Sequence, residues 1–275
     1  DRIDWKRLAF TTTITTVSRY MKHYMWKLGV NPLVISNGIP ESSFDDVDTK
    51  ESSRLVKRLD ADLVLAKVAR WDPDKRWNAA FAAAARLKDR GLRTVLLARG
   101  GIEHHGEEVL RNARSLGLKV KDIGSSTGSL KDQLDAIGDR DGADVLNIRF
   151  NCSPELLRII YHASDAVLAN SGHEPFGLVG LETMAAGGIA FTGGTGEDYA
   201  VHLHNSIILE TAEPEEIEAY VLYLEEHPEE KLRIRQSARR TARRFTWEEV
   251  TKDLIQKLTF QARVQGLLKP LEKAA

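Results

Sequence analysis

The chain reads as an α/β protein, a Rossmann-like doubly wound parallel sheet, on three observations. From Leu63 onward, short apolar or β-branched runs alternate with helix-length segments, the order that gives parallel strands with helices on both faces. Glycines and prolines punctuate the junctions, such as Gly91 after the alanine-rich stretch 75–90. Within residues 165–198, DAVLANSGHEPFGLVGLETMAAGGIAFTGGTGED, two glycine-bearing loops each follow a strand. Open α/β sheets take ligands at that carboxyl edge, where a helix N-terminus also suits a phosphate.

In chain order, β-branched Phe10–Val17 predicts a strand, and Ser18 caps a helix through about Leu28 that Gly29 stops. Leu33–Ile35 is a short strand and Ser36–Pro40 a turn. Leu63–Ala69, Thr94–Ala98, Lys119–Ile123 and Asp144–Ile148 are strands; Lys75–Arg90, Glu103–Leu116 and Pro154–Ala163 are helices. Strand Asp165–Ala169, a helix near Gly177–Ala186 and strand Gly188–Thr192 follow, then a second loop starting another helix. Asn205–Leu209 is a strand, and Glu213–Glu226 and Glu229–Arg244 are helices with Pro214 and Pro228 near their starts. Thr246, with Glu249 three residues on, caps the last helix. The expected units are 1–44, a hinge segment; 45–228, the Rossmann-like domain; and 229–275, C-terminal helices.

Composition excludes several classes. The formal net charge of −1 argues against a general polyanion binder, so no nucleic acid is expected. Seven basic residues at Lys231–Arg244 spread around their helix and read as a solvated surface; peripheral membrane contact has no further support. Cys152 is the single cysteine, which rules out an internal disulfide and fits a reducing, cytoplasmic setting. No run approaches the ~18 apolar residues that span a bilayer. A start at Asp1 without Met reads as a fragment or processed product.

Two carboxylates stand out. Glu182 lies in a short helix apolar on nearly every side, so it needs a partner: an arginine, a backbone amide or a ligand hydroxyl. Glu174, just before Pro175, is either a helix-start acid or a ligand group. Arg70 and Lys75 bracket Trp71-Asp72-Pro73-Asp74 after the first domain strand. Both could project over the sheet edge, where they complement a diphosphate, or be solvated charges around a turn.

The run EPFGLVGLETMAAGG (174–188) resembles the E-x7-E signature of retaining nucleotide-sugar glycosyltransferases with the GT-B fold, family 4 in particular. Gly193-Gly194-Thr195-Gly196 is similar to that family's glycine loop, and A-R-W-D-P-D-K (69–75) to its G-R-x-x-x-x-K-G, with Ala69 and Arg76 in place of the two glycines. Pro40 replaces the acid of the usual N-G-[VI]-D hinge, and Phe245-Thr246-Trp247 resembles the start of the terminal helix that crosses back to the N-terminal domain.

The resemblance implies the C-terminal, donor-binding half of a GT-B enzyme, and roles for its residues. Glu182 would accept from the ribose hydroxyls, and Glu174 would face the donor sugar. Phe176, Gly177 and Leu178 would offer backbone N–H groups, Gly193 and Gly194 form the second loop, and Phe150 would lie near the nucleobase. Arg70 and Lys75 would stabilise the leaving diphosphate during front-face attack. It implies a hexose moved from a nucleoside-diphosphate sugar to an acceptor hydroxyl without metal or other cofactor. The acceptor, a sugar or small molecule, would be held mainly by a missing N-terminal domain. Alternatives are a non-catalytic nucleotide-sugar-binding or regulatory module, and an epimerase or phosphorylase of the same fold. Asp139-Arg140-Asp141 reads as a solvated turn, His104-His105 lacks metal-ligand spacing, and no P-loop or G-x-G-x-x-G is present.

Overall fold

In the computed structural model, which describes residues 3–124 and 128–268, the chain opens with a small parallel unit. Helix α1 (Trp5–Thr11) is followed by β1 (Thr15–Thr16), α2 (Arg19–Trp26) and β2 (Leu33–Val34). The strand expected over 10–17 is therefore only Thr15–Thr16. The Asp4 carboxylate accepts from Arg7 N–H and starts a helix that runs through Phe10. Ser18 caps α2 as expected.

The main sheet alternates strand and helix: α3 (Thr49–Leu59), β3 (Leu63–Val68), α4 (Trp77–Asp89), β4 (Thr94–Arg99), α5 (His105–Ser115), β5 (Val120–Ile123), α6 (Leu130–Gly138), β6 (Val145–Ile148), α7 (Pro154–Ala163), β7 (Ala166–Ala169), α8 (Leu178–Ala185), β8 (Ala190–Thr192) and β9 (Ile207–Ile208). Every pair is parallel and the order is β5-β6-β4-β3-β7-β8-β9. Because strand side chains alternate, Leu63, Leu65 and Leu96 pack under α4, α5 and α9 (Pro214–Glu226), whereas Val64, Ala66 and Leu97 pack under α3, α6 and α7. The sheet is doubly wound. From β3 the chain first builds outward through β4 and later returns to β7 on the other side, so the topological switch lies between β3 and β7.

Besides α1, two further helices went unread in the sequence, α3 and α6. Their caps explain them: Asp48 accepts from Lys50 and Glu51 N–H, and Ser129 with Asp132 forms a capping box. The helix expected after Gly193 does not form. Over 193–206 the backbone is held instead by side chains, Asn205 bonding Val201 N–H and Tyr199 C=O, and Arg19 reaching Glu197 C=O.

Helix α10 (Pro228–Ala242) corrects a further reading, because its cations are not simply solvated. Arg235 is largely buried and donates to the carbonyls of His162, Ser164 and Gly187; Arg239 donates to Phe44 C=O; Lys231 bonds Asp165 and Glu225. The small residues Ala238 and Ala242 let the helix lie close to α8, so long basic side chains reach the loops beneath.

Helix α11 (Trp247–Val264) crosses back to the first segment. Ile39 N–H donates to Phe245 C=O at 2.8 Å, Trp247 N–H to Ile39 C=O at 3.1 Å, and Lys257 Nζ to Val34 C=O at 2.7 Å. Gly38 permits this approach: a Cβ there would lie 2.7 Å from the Trp247 ring and 3.0 Å from its Cα. Gly38→Ala should therefore cost about 1–3 kcal/mol, read as a lower urea midpoint at unchanged slope.

Candidate functional site

Two loops leave the sheet at the switch point. After β3, Asp72 accepts from Asp74 N–H, Pro73–Lys75 makes one tight turn, and Arg76 takes φ +53° before α4 begins. That left-handed backbone is one that glycine adopts without strain, and here it falls on Arg76. The turn swings Lys75 inward, its side chain only 13% exposed, and leaves Arg70 outward at 69%. After β7, residues 170–177 fold against this turn, with Gly172 N–H donating to Asp74 C=O at 2.8 Å.

The two loops are joined by charge. Lys75 Nζ lies 3.2 Å from Glu174 Oε2, while Arg70 is 4.0 Å from Asp72. Lys75, Glu174, Arg70, Ser171 and Gly177 share the wall of a cavity of 180 Å³. Its floor includes Lys67, only 1% exposed. Arg70 also borders a wider cleft of 810 Å³ along the ends of β4 and β6, whose walls include Arg99, Gly100, Glu103, Asn147 and Arg149.

Gly177, at φ +86°, turns the chain into α8. Among the described residues, the N–H groups of Phe176, Gly177 and Leu178 donate to no protein acceptor, which leaves a small nest of donors at a helix N-terminus. The Tyr199 hydroxyl donates to Gly177 C=O from below, and a Cβ on Gly180 would come 2.5 Å from that hydroxyl. Burial, then Glu174, Glu182 and Asp198, push the Tyr199 hydroxyl's pKa up, so it stays a donor. The sequence marked neither Tyr199 nor Lys67. Their signals were a tyrosine just past a glycine loop and a lysine inside the apolar run Leu-Val-Leu-Ala-Lys-Val-Ala.

The remaining residues divide. Gly193 packs on the backbone of Asn170 and Ser171, and Gly194 on Gly172, so the two glycine-bearing loops lie side by side. Leu178 is exposed at the start of α8; the Phe176 ring is buried against Tyr199 and Phe245. Phe150, expected beside a base, has its ring buried in the α3–α6–α7 layer; its neighbours Arg149 and Asn151 border the wide cleft instead. Glu182 borders neither cavity. It is half-buried on the second turn of α8, and burial raises its pKa above the ordinary 4.5, opposed in part by the buried Tyr161 hydroxyl. Among the described residues no three His, Cys, Asp or Glu side chains gather as a metal site; His105 pairs with Glu108, and Arg140 bonds Asp60 C=O from its polar turn.

A parallel sheet with cations, a carboxylate and free N–H groups at its switch point defines a Rossmann-like ligand-binding domain. The family model for glycosyl transferases group 1 matches residues 48–241, and the chain belongs to this family. D-inositol 3-phosphate glycosyltransferase of Actinosynnema mirum is 32% identical over 163 residues, 56% of this chain and 33% of that protein. Anabaena HepE, solved in complex with UDP-glucose, superposes with a TM-score of 0.71 at 17% identity, over 90% of this chain and 63% of that one. Sucrose-phosphate synthase from Thermosynechococcus elongatus gives 0.68 at 18% identity, over 91% and 59%. The fold is that of a GT-B half. The chain thus spans about a third of its curated relative.

A raised pKa at Glu182 has consequences of known sign. The ionised form is disfavoured by folding, so its cost to stability grows as pH rises from the unfolded value of 4.5 through the folded one. Glu182→Gln should raise the ligand-free melting temperature above that window and leave it nearly unchanged below pH 4. If Glu182 accepts from ligand hydroxyls, its ionised form does so best, since it accepts at both oxygens and its bonds are charge-assisted. Nucleotide affinity should then fall as pH drops through its raised pKa, and Glu182→Gln should remove that slope and weaken binding at pH 7.5 by about ten- to hundredfold. Thermal scans and calorimetric titrations between pH 4 and 8 check both.

Proposed function

We propose that this chain is the donor-binding half of a retaining glycosyltransferase that moves a hexose from a nucleoside-diphosphate sugar to an acceptor hydroxyl without a metal. The observation carrying the reading is that the Lys75–Glu174 pair and Gly177 share one cavity, at the start of α8 where the N–H groups of Phe176, Gly177 and Leu178 are unbonded. Breaking a sugar–phosphate bond puts negative charge on the diphosphate and positive charge on the ring. Lys75, Arg70 and the α8 amides meet the first charge, and preorganised donors of this kind lower the barrier most. Glu174 turns from Lys75 to the sugar hydroxyls and orients the ring, while the leaving phosphate helps take the acceptor proton. Glu182 binds the ribose; Gly193 and Gly194 bring their backbone near the phosphates. The base lies toward Arg149 and Asn151, with the Phe150 ring supporting that strand end from the core.

The acceptor is held mainly by an N-terminal domain outside this sequence. Exposed Phe10, Trp26, Ile255 and Phe260 on α1, α2 and α11 support an apolar face that such a domain covers. Among the described residues no helix is long and apolar enough to cross a membrane; we place the reaction in the cytoplasm.

Calorimetric titration with UDP, GDP and ADP and their glucose and mannose conjugates tests this. One nucleotide series should bind saturably. Lys75→Ala should weaken it by about ten- to hundredfold, the loss of a charge-assisted hydrogen bond. Glu174→Gln should leave the bare diphosphate bound as well or better, because Lys75 is freed, and abolish the preference for the sugar conjugate. Equal binding by wild type and Lys75→Ala would overturn the assignment.

A further inference from the structure

Lys67 has a chemistry that none of the assigned roles uses. It is the fifth residue of β3, a central strand, on the face shared with Leu63 and Leu65. There it is only 1% exposed and its Nζ lies 5.4 Å from the centroid of the Trp77 ring. Two acceptors face the amine: Leu168 C=O at 2.9 Å and Asn170 Oδ1 at 2.5 Å, both at the carboxyl end of β7. The bonds therefore cross the topological switch and fix the first residue of the loop that carries Glu174.

Two acceptors match the two N–H groups of a neutral amine, so the clamp does not require the ammonium form. A proton added to Lys67 brings a third donor and a charge at the floor of the 180 Å³ cavity it shares with Arg70 and Lys75. The charged groups facing it are Lys75 and Arg76 from the loop after β3, which oppose that proton, and Glu174 from the loop after β7, which favours it. Burial is the largest influence, and together they hold its pKa down to about 7, against 10.5 ordinarily. An anion entering the cavity cancels the repulsion from Lys75 and adds attraction.

We propose that Lys67 is a positioning residue of this site: its amine clamps the end of β7 through Leu168 and Asn170, and it takes up a proton from solvent when a diphosphate enters the cavity beside Lys75. The ligand chemistry rests on the donor reading above, whereas the coupling rests on the cavity and its cations alone. The device lets the empty site avoid two adjacent buried charges and supplies a further positive charge only when the anion is present.

UDP-glucose suits the test because its diphosphate is esterified at both ends and carries no proton that titrates near neutrality. Calorimetric titration at pH 7.5 in buffers of differing ionisation enthalpy should give uptake of more than about half a proton per site. Lys67→Met should abolish the uptake and leave weakened but saturable binding. Binding by wild type with no net uptake between pH 7 and 8.5 would overturn the proposal. Should Lys67→Met fail to fold, 13Cε-labelled lysine NMR on wild type decides without a variant. One lysine signal should titrate near neutrality, apart from surface lysines near ~10, and move upward by about a unit or more when pyrophosphate is added. No such signal, or one that pyrophosphate leaves in place, overturns the coupling. Failure of UDP-glucose to bind while pyrophosphate still shifts the signal overturns the donor reading and supports the coupling.

Discussion

The parallel pairing of β3 with β7 is the constraint from which the site follows. Strands paired there come from segments about a hundred residues apart, joined in register through Leu65 with Ala166 and Ala66 with Val167. Both then end at the same edge, and each must reverse into a helix. The loops that make these reversals have nowhere to go but against each other, and their contacts are polar: Gly172 N–H on Asp74 C=O, Lys75 on Glu174, and Lys67 on Leu168 and Asn170. A mostly buried ion pair pays in desolvation unless other groups satisfy it. At this edge Lys75 and Glu174 satisfy each other, next to the unbonded N–H groups that start α8.

The same edge is tied to the far end of the chain. Phe176, Tyr199 and Phe245 form one aromatic cluster, with ring centroids 5.6 to 6.1 Å apart. Tyr199 holds the Gly177 carbonyl, which leaves the N–H groups at the start of α8 pointing elsewhere, and Phe245 lies at the turn into α11. The Phe245 carbonyl in turn accepts from Ile39 N–H in the segment that precedes α3. Loop geometry at the site, the turn into the terminal helix and Ile39 therefore share one packed cluster.

Much of this was legible before any coordinates. Most strands of the main sheet were readable because they are compact apolar runs bounded by turn residues, and α7 begins and ends where Pro154 and Ser164 put it; β1, two threonines, was overread as a strand over 10–17. Arg70, Lys75, Glu174 and Gly177 were legible because their spacing is a signature, and the structure brings these four to one wall. Most of what escaped depends on contacts distant in sequence. Helices α3 and α6 are short and bury only a few apolar side chains, Leu55 and Leu59 in one and Leu134 and Ile137 in the other; that helical spacing, behind the caps Asp48 and Ser129, was a signal the reading passed over. The cations of α10 looked solvated because their carbonyl acceptors, at His162, Ser164 and Phe44, belong to other segments. Lys67 read as an ordinary strand residue, since nothing nearby in sequence announces Asn170 as its partner.

The proposed function requires a diphosphate to bind at the β3–β7 switch, against the N-terminus of α8. Backbone amide NMR with and without saturating UDP-glucose tests it directly. The largest shifts and the strongest new protection from exchange should fall on Phe176, Gly177 and Leu178, with Lys75 and Gly193 next and α3 unaffected. Saturable binding that leaves those three amides unchanged, and perturbs only the cleft beside Arg149 and Asn151, would contradict the account.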